Sequence, residues 1–471
     1  MTSNLDSNDM DSWIIYSYDD YGFVKSERME EIGDIKEYTN DVNGNRKSFT
    51  LKKDNTVVST ASYTYDKLDR PTRVSFGNGV TGVSYTYNAN GQVLTETGTN
   101  NVRYTYNKAG LVTAMSNSQG PDYTYSYRLD GNQISKSTGN ETTAYVYDHL
   151  GQLKSETVTG VESQTTTYTY DSRGNRIGQN RGGIISAYTY DANNRLLSQS
   201  DANGSKVTDY RYDDNGNLIF KGISANIEAN NQQESVSLSV AGEGPAQSAE
   251  NAMAIFYTYN SRNQLTNVQT DDGLNADYTY DATGRRTSKT VNGVTTKHIW
   301  DGQNIVRETD GNDEEIAAYY RAAKLIAQKA GSAVDYYVYD AHGSVTATTN
   351  GRSYTYDAFG IETVGSNTGY NPFRYCGEYT DAETGLIYLR NRYYDPSIGR
   401  FISEDPAKDG LNWYVYCVNN PVMFRDPNGL AIVCDEANYE QIKSLLEQIS
   451  GNSLVFDYQN GKIVITKTYD T

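Results

Sequence analysis

The feature that most restricts what this chain can fold into is a short string, Tyr-x-Tyr-Asp or Tyr-x-Tyr-Asn, that returns along most of its length. Copies start at Tyr16, Tyr63, Tyr85, Tyr104, Tyr145, Tyr168, Tyr188, Tyr210, Tyr257, Tyr278, Tyr337 and Tyr354, with looser ones at Tyr125 and His298. The steps from Tyr63 to Tyr210 are 22, 19, 21, 20, 23, 20 and 22 residues. A near-constant period of this size marks a repeat array. After each copy comes a short turn with Gly or Asn and then an aliphatic residue, as in Asp171-Ser-Arg-Gly-Asn-Arg-Ile177. Tyr and Thr favour strands, and residues i and i+2 share a face, so both Tyr point one way. Asp and Asn cap their own turn, and Gly supplies positive φ. Each unit of about 20 residues reads as a strand, a tight turn and a return strand. One hairpin is marginal alone, whereas stacked hairpins bury their Tyr ladders against neighbours. The expected fold is all-β, a long, curved, mostly antiparallel sheet.

Two interruptions test that reading. The step from Tyr210 to Tyr257 is 47 residues, and the extra segment, about 223–254, is polar and lacks aromatics. It reads as a disordered insertion loop. The segment Ala317–Gly331 is helix-friendly by propensity. It sits in register between Trp300 and Tyr337, so a further hairpin is expected there.

Composition removes whole classes of function. Lys plus Arg is 41 and Asp plus Glu is 59, a formal net charge of −18. Such a chain repels phosphate backbones, and no nucleic acid is expected as a partner. No apolar run reaches the length of a membrane span. Met1–Met10 is polar and lacks an apolar signal region, so export is expected by a dedicated route or from a signal upstream. Cys376, Cys417 and Cys434 form an odd set without C-x-x-C. His149, His298 and His342 occupy turn or ladder positions and match no metal template, so neither cofactor nor metal is expected. The 43 Tyr are assigned to packing of the sheet. Stacking of surface carbohydrate on exposed Tyr is the alternative use.

From Asn371 the pattern changes. Pro372–Pro406 is dense in aromatic and charged residues, followed by Leu411-Asn-Trp-Tyr-Val-Tyr-Cys-Val-Asn-Asn-Pro421 and Asp426-Pro-Asn-Gly-Leu430. The spaced Tyr-x-Tyr-Asp-x-x-Gly-Arg/Asn pattern, over about residues 13–430, resembles the YD repeat of Rhs proteins, teneurins and the C subunits of insecticidal toxin complexes. The stretch from Pro372 to Leu430 closely resembles the Rhs-repeat-associated core domain, which favours the bacterial Rhs or toxin-complex type over teneurins. The resemblance implies a spiral that forms a partial hollow shell or cocoon, closed at one end by the core domain. It implies a variable C-terminal toxin and a built-in aspartyl protease, acting in cis, that cuts after the Leu of Asp-Pro-x-Gly-Leu. The matching bond here joins Leu430 to Ala431.

Aspartyl proteolysis needs two carboxylates close enough to share a proton, one a base for water and the other an acid. The candidates are Asp405 and Asp426, with Asp395 as a third and Arg400 to stabilise the pair or polarise the scissile carbonyl. Each of these aspartates begins an Asp-Pro turn, so a purely structural role is the competing reading.

The expected organisation is a polar lead (1–12), a repeat shell (13–370), the core domain (371–430) and the start or remnant of a toxin domain (431–471). In that tail, Asp435–Ser450 reads as an amphipathic helix bearing Ile442, Leu445, Leu446 and Ile449 on one face. Ser453–Tyr458 and Lys462–Thr466 read as a hairpin about Asn460-Gly461. The resemblance implies as partners the chain's own C-terminal toxin segment, an immunity protein, and a delivery or shell-completing subunit. It implies a secreted or cell-surface location. With about a dozen repeats, the shell is expected to be open. The competing function is a non-catalytic cell-surface adhesion or carbohydrate-binding protein.

Overall fold

Each repeat folds as its residues dictate. The computed structural model describes residues 14–29, 33–160, 163–204, 207–223, 254–365, 369–408, 410–434 and the strands at 455–459 and 462–466. The N-terminal lead, all but the two end residues of the insertion, and the tail helix at 435–450 lie outside the described residues. In the repeat at Asp171, Oδ1 of Asp171 accepts the N–H groups of Arg173 and Asn175, both at 2.9 Å. Gly174 takes φ +78°, which only Gly adopts freely. The return strand then carries a one-residue bulge: Tyr170 faces Arg176 and Thr169 faces Gly178, leaving Ile177 over. The same shift recurs with Tyr190 facing Leu196 and Thr189 facing Ser198.

The bulge explains why the second ladder residue is Tyr and not Phe. The carbonyl just before it is claimed by the hydroxyl of the next repeat. Tyr170 donates to the Leu153 carbonyl at 2.8 Å, Tyr190 to Arg176 at 2.7 Å, Tyr280 to Leu265 at 2.6 Å and Tyr339 to Leu325 at 2.6 Å. A buried carbonyl without such a donor is costly.

Stacked this way, the hairpins form a sheet of 30 strands, β1 (Ile14–Tyr18) to β30 (Val345–Thr348), each antiparallel to the next. The hairpin expected within 317–331 is present as β27 (Glu315–Arg321) and β28 (Leu325–Ala330). Among the described residues no ladder joins β1 to β30, so the sheet winds as an open scroll.

The winding is nested. Tyr38 on β3 (Asp34–Asn40), Phe49 on β4 (Arg46–Lys53) and Tyr85 on β7 (Val83–Tyr87) pack against Ile299 on β25 (Val294–Asp301) and Val306 on β26 (Asn304–Asp310). Trp300, next to Ile299, faces the opposite way and packs with Tyr319 against Tyr379, Tyr388 and Tyr393. The first coil therefore wraps the last, and the last wraps the C-terminal domain. Ion pairs tie the coils together, Arg46–Asp301 at 2.5 Å, Arg307–Asp34 at 3.0 Å and Lys324–Glu96 at 2.9 Å. The middle residue of Tyr-x-Tyr records its layer. Thr64, Thr86 and Thr189 face solvent in the first coils, whereas Ile299 and Val338, and Tyr320 at the matching place in Tyr319-Tyr320-Arg321, are buried between layers.

The concave side, expected as a hollow, is occupied by the inner strands and a small sheet of β33 (Tyr379–Asp381), β34 (Leu386–Leu389), β35 (Arg392–Asp395) and β36 (Arg400–Phe401). Beyond it, β37 (Val433–Cys434), β38 (Val455–Gln459) and β39 (Lys462–Thr466) form a separate three-stranded sheet. There Gln459 stands opposite Lys462, and the expected Asn460-Gly461 turn lies outside the described residues.

Candidate active site

The segment Asp426-Pro-Asn-Gly-Leu430 lies along the turn between β34 and β35. Three successive residues of that turn hold three successive carbonyls. Arg390 donates to the Pro427 carbonyl at 2.6 Å, and Asn391 to the Asn428 carbonyl through its N–H (3.3 Å) and Nδ2 (2.9 Å). Arg392 donates from Nε to the Gly429 carbonyl. Gly429 has φ +71°, and a Cβ there would lie 2.9 Å from both the Arg392 nitrogen and the Leu389 oxygen. The contact admits only glycine. Oδ1 of Asn428 accepts the N–H of Leu430 at 3.0 Å and that of Ala431 at 3.1 Å. The Ala431 N–H also lies 3.3 Å from Oδ1 of Asp426. The peptide nitrogen of the expected scissile bond is thus held against a carboxylate.

Asp405 and Asp426 converge on one cation. Nη2 of Arg392 is 3.9 Å from Oδ2 of Asp405 and 3.5 Å from Oδ2 of Asp426. Both aspartates are buried, 7% and 3% exposed, so neither charge is solvated by bulk water. The Asp405 N–H donates to the Trp413 carbonyl at 3.0 Å, and its Oδ1 accepts the Ala407 N–H at 2.9 Å. Arg392 is fixed by the same Trp413 carbonyl (Nη1, 3.0 Å) and by the Phe401 ring, 3.6 Å below its guanidinium carbon. Burial pushes the Asp426 carboxyl up to about 6, against the Arg392 charge and the N–H groups of Ala431, Gly429 and Asn428. A carboxyl whose proton affinity is raised to about 6, beside a second carboxylate on the same guanidinium, is moved toward the acid-and-base division that aspartyl chemistry requires.

The other expected site residues stand elsewhere. Arg400 donates to Oδ1 of Asn175 at 3.0 Å and to the Asn194 carbonyl at 2.6 Å, and it lies 4.8 Å over the Tyr190 ring. It fastens the C-terminal domain to the repeat turns, and the cation at the two carboxylates is Arg392. Asp395 pairs with Lys221 at 3.0 Å. Burial raises its pKa, but Lys221 and Ser397 outweigh burial and hold it below the usual carboxylate range. Leu430 and Ala431 are both half-buried. Sequence reasoning missed Arg392 and Asn428. The signal for Arg392 was its setting, a charge inside the buried strand Arg-Tyr-Tyr-Asp, where a charge requires a partner.

Known proteins bear on this arrangement at two levels. The tRNA nuclease WapA of Bacillus subtilis is 33% identical over 270 residues, which is 50% of this chain and 11% of that protein. The toxin subunit YenC2 of Yersinia entomophaga is 50% identical over 66 residues, 14% of this chain and 7% of that protein. This chain therefore spans only a small part of the length of these relatives. The solved Tc holotoxin pore of Photorhabdus luminescens aligns over 89% of this chain and 21% of its own, with a TM-score of 0.50 at 18% identity, a likeness of fold. A family model described as the teneurin YD-shell matches residues 2–142 and 132–422, nearly all of the repeats and the C-terminal domain. By its Tyr-x-Tyr-Asp hairpins, its wound sheet and this match, the chain belongs to the teneurin YD-shell family.

Proposed function

We propose that this chain is an Rhs-type shell that presents a C-terminal effector segment and frees it by cutting its own Leu430–Ala431 bond. The observation that carries the reading is the Ala431 N–H at 3.3 Å from Asp426, with Asp405 on the far side of the shared Arg392. In the reaction a water oxygen attacks the Leu430 carbonyl carbon, and ionised Asp405 takes the water proton. Protonated Asp426 then gives its proton to the Ala431 nitrogen. The carbon–nitrogen bond breaks, leaving a carboxyl on Leu430 and an amine on Ala431. Arg392, engaged with the Gly429 and Trp413 carbonyls, positions the pair and holds the substrate turn. The names of the relatives, a tRNA nuclease and a toxin subunit, support an effector beyond Leu430. They also support action outside the producing cell, with an immunity protein and a delivery subunit as partners. The carbohydrate-binding reading has less support, because ladder residues such as Tyr168, Tyr210 and Tyr278 are buried.

Intact-mass spectrometry of freshly purified wild type beside Asp405→Asn and Asp426→Asn tests this. Wild type should give a species ending at Leu430, and both variants should stay whole. Wild type that remains entirely at 52.4 kDa would refute the reading.

A further inference from the structure

The Asp-Pro-x-Gly-Leu turn has one position whose side chain the cleavage chemistry does not obviously need, and here it is Asn428. The oxygen of its side chain is engaged at the bond to be cut. Oδ1 of Asn428 accepts both the Leu430 N–H (3.0 Å) and the Ala431 N–H (3.1 Å). Its own carbonyl is gripped twice by Asn391. The Ala431 N–H is thus shared between Asn428 and Asp426, at 3.1 and 3.3 Å.

We propose that Asn428 is a positioning residue for self-cleavage, which orients the Leu430–Ala431 peptide so that its nitrogen faces Asp426. The inference rests on the proposed reaction. The logic is that of local side-chain turns. A short amide side chain that accepts N–H groups two and three residues on fixes the plane of the following peptides. Fixing that plane decides which carboxylate meets the nitrogen, and therefore which one acts as the acid when the C–N bond breaks. Without the clamp, the Leu430–Ala431 peptide is free to rotate away from Asp426. A misplacement of about 1 Å at a reacting centre reduces rate on the order of a hundredfold. The proton affinity of Asp426 is set first by burial, which raises it, and then by Arg392 and the N–H groups of Ala431, Gly429 and Asn428, which lower it. Asp405 faces Arg392 from the other side, and the buried Cys417 thiol is held protonated chiefly by burial, with the Asp426 charge adding to it.

The test is a time course of cleavage. Wild type, Asn428→Ala and Asn428→Asp are made by cell-free synthesis, and the species ending at Leu430 is followed by intact mass from pH 5 to 8. Asn428→Ala should cleave at least about tenfold more slowly. Asn428→Asp keeps the accepting oxygen and should recover most of the rate. Its added negative charge beside Asp426 should move the high-pH limb of the profile to higher pH, since a like charge raises a carboxyl pKa. That shift reports only the closeness of position 428 to Asp426, whereas a rate lost in Asn428→Ala and recovered in Asn428→Asp is what a merely structural role would not give. Thermal unfolding of Asp426→Asn with and without Asn428→Ala shows whether the fold is kept. Wild-type rates in Asn428→Ala would overturn the inference while leaving the proposed function intact. Wild type that never cleaves would overturn both. Should Asn428→Ala fail to fold, Asn428→Leu, which removes the accepting oxygen at similar volume, takes its place, and wild-type rates there overturn the inference.

Discussion

At the scale of single residues, the site depends on a buried positive charge. Arg392 faces two buried carboxylates, and the Arg392→Met change leaves them without a counter-ion. Breaking such an arrangement typically costs about 3–5 kcal/mol. Urea denaturation should register a loss of that order, and cleavage should stop. Unchanged stability would mean that water, not Arg392, solvates the pair. Gly429→Ala meets two backbone atoms at 2.9 Å with φ already at +71°. It should cost about 1–3 kcal/mol, readable in the same denaturation assay. The sequence brought Asp405 and Asp426 forward only through the resemblance of the stretch around them, because an Asp-Pro turn by itself reads as structure. The cation was not. Arg400 lies nearer Asp405 in sequence, but the β36 register turns it toward Asn175 and Asn194. Only the pairing of β34 with β35 brings Arg392 to the carboxylates.

At the scale of elements, each hairpin is joined to the next by a tyrosine hydroxyl. Tyr190→Phe removes the 2.7 Å bond to the Arg176 carbonyl and should cost about 1 kcal/mol. A calorimetric midpoint equal to wild type would show that water replaces the hydroxyl. The middle position of Tyr-x-Tyr offers a sharper contrast. Val338 is 0% exposed and Val146 is 53% exposed, in the same string Tyr-Val-Tyr. Val338→Thr buries a hydroxyl between coils and should destabilise by about 1–3 kcal/mol. Val146→Thr should stay within about 0.5 kcal/mol. The strands were readable from the period alone, including β27 and β28, where helix propensity pointed the other way. The nesting was less readable. The change from Thr to Ile299, Tyr320 and Val338 is present in the sequence, but period-2 alternation shows only that a second face is apolar. It does not show what covers it.

At the scale of the molecule, burial of acids sets a pH dependence. Burial raises Asp34 to about 6, against the nearby Arg307, and Asp426 likewise to about 6. Glu156 and Asp357 are also raised, chiefly by burial. The folded chain therefore keeps protons that the unfolded chain releases. For Asp34 and Asp426 that amounts to about 3 kcal/mol each, fully present below pH 4 and lost as pH rises through 6. His298 acts in the opposite sense. Burial holds its pKa well below 6.5, so its contribution is present above that value and lost in acid. Thermal unfolding from pH 4 to 8 should show stability falling across the acid-to-neutral range, and Asp34→Asn should flatten the slope. A flat profile in wild type would refute this account.

The nested winding also has a history in time. Lys36, in the first coil, donates to the carbonyl of Trp300, 264 residues further along the chain. A ribosome adding about 5–20 residues per second needs roughly 10–50 s to supply that partner. Through that interval the tyrosine face of β3 to β7 is wet on the nascent chain, because the strands that line it do not yet exist. The layer made first is the outermost, and the layer it must enclose is made last. Synthesis therefore runs from the wrapping to the contents, and the ordered molecule is reached only when the late strands enter a coil that has been waiting open for them.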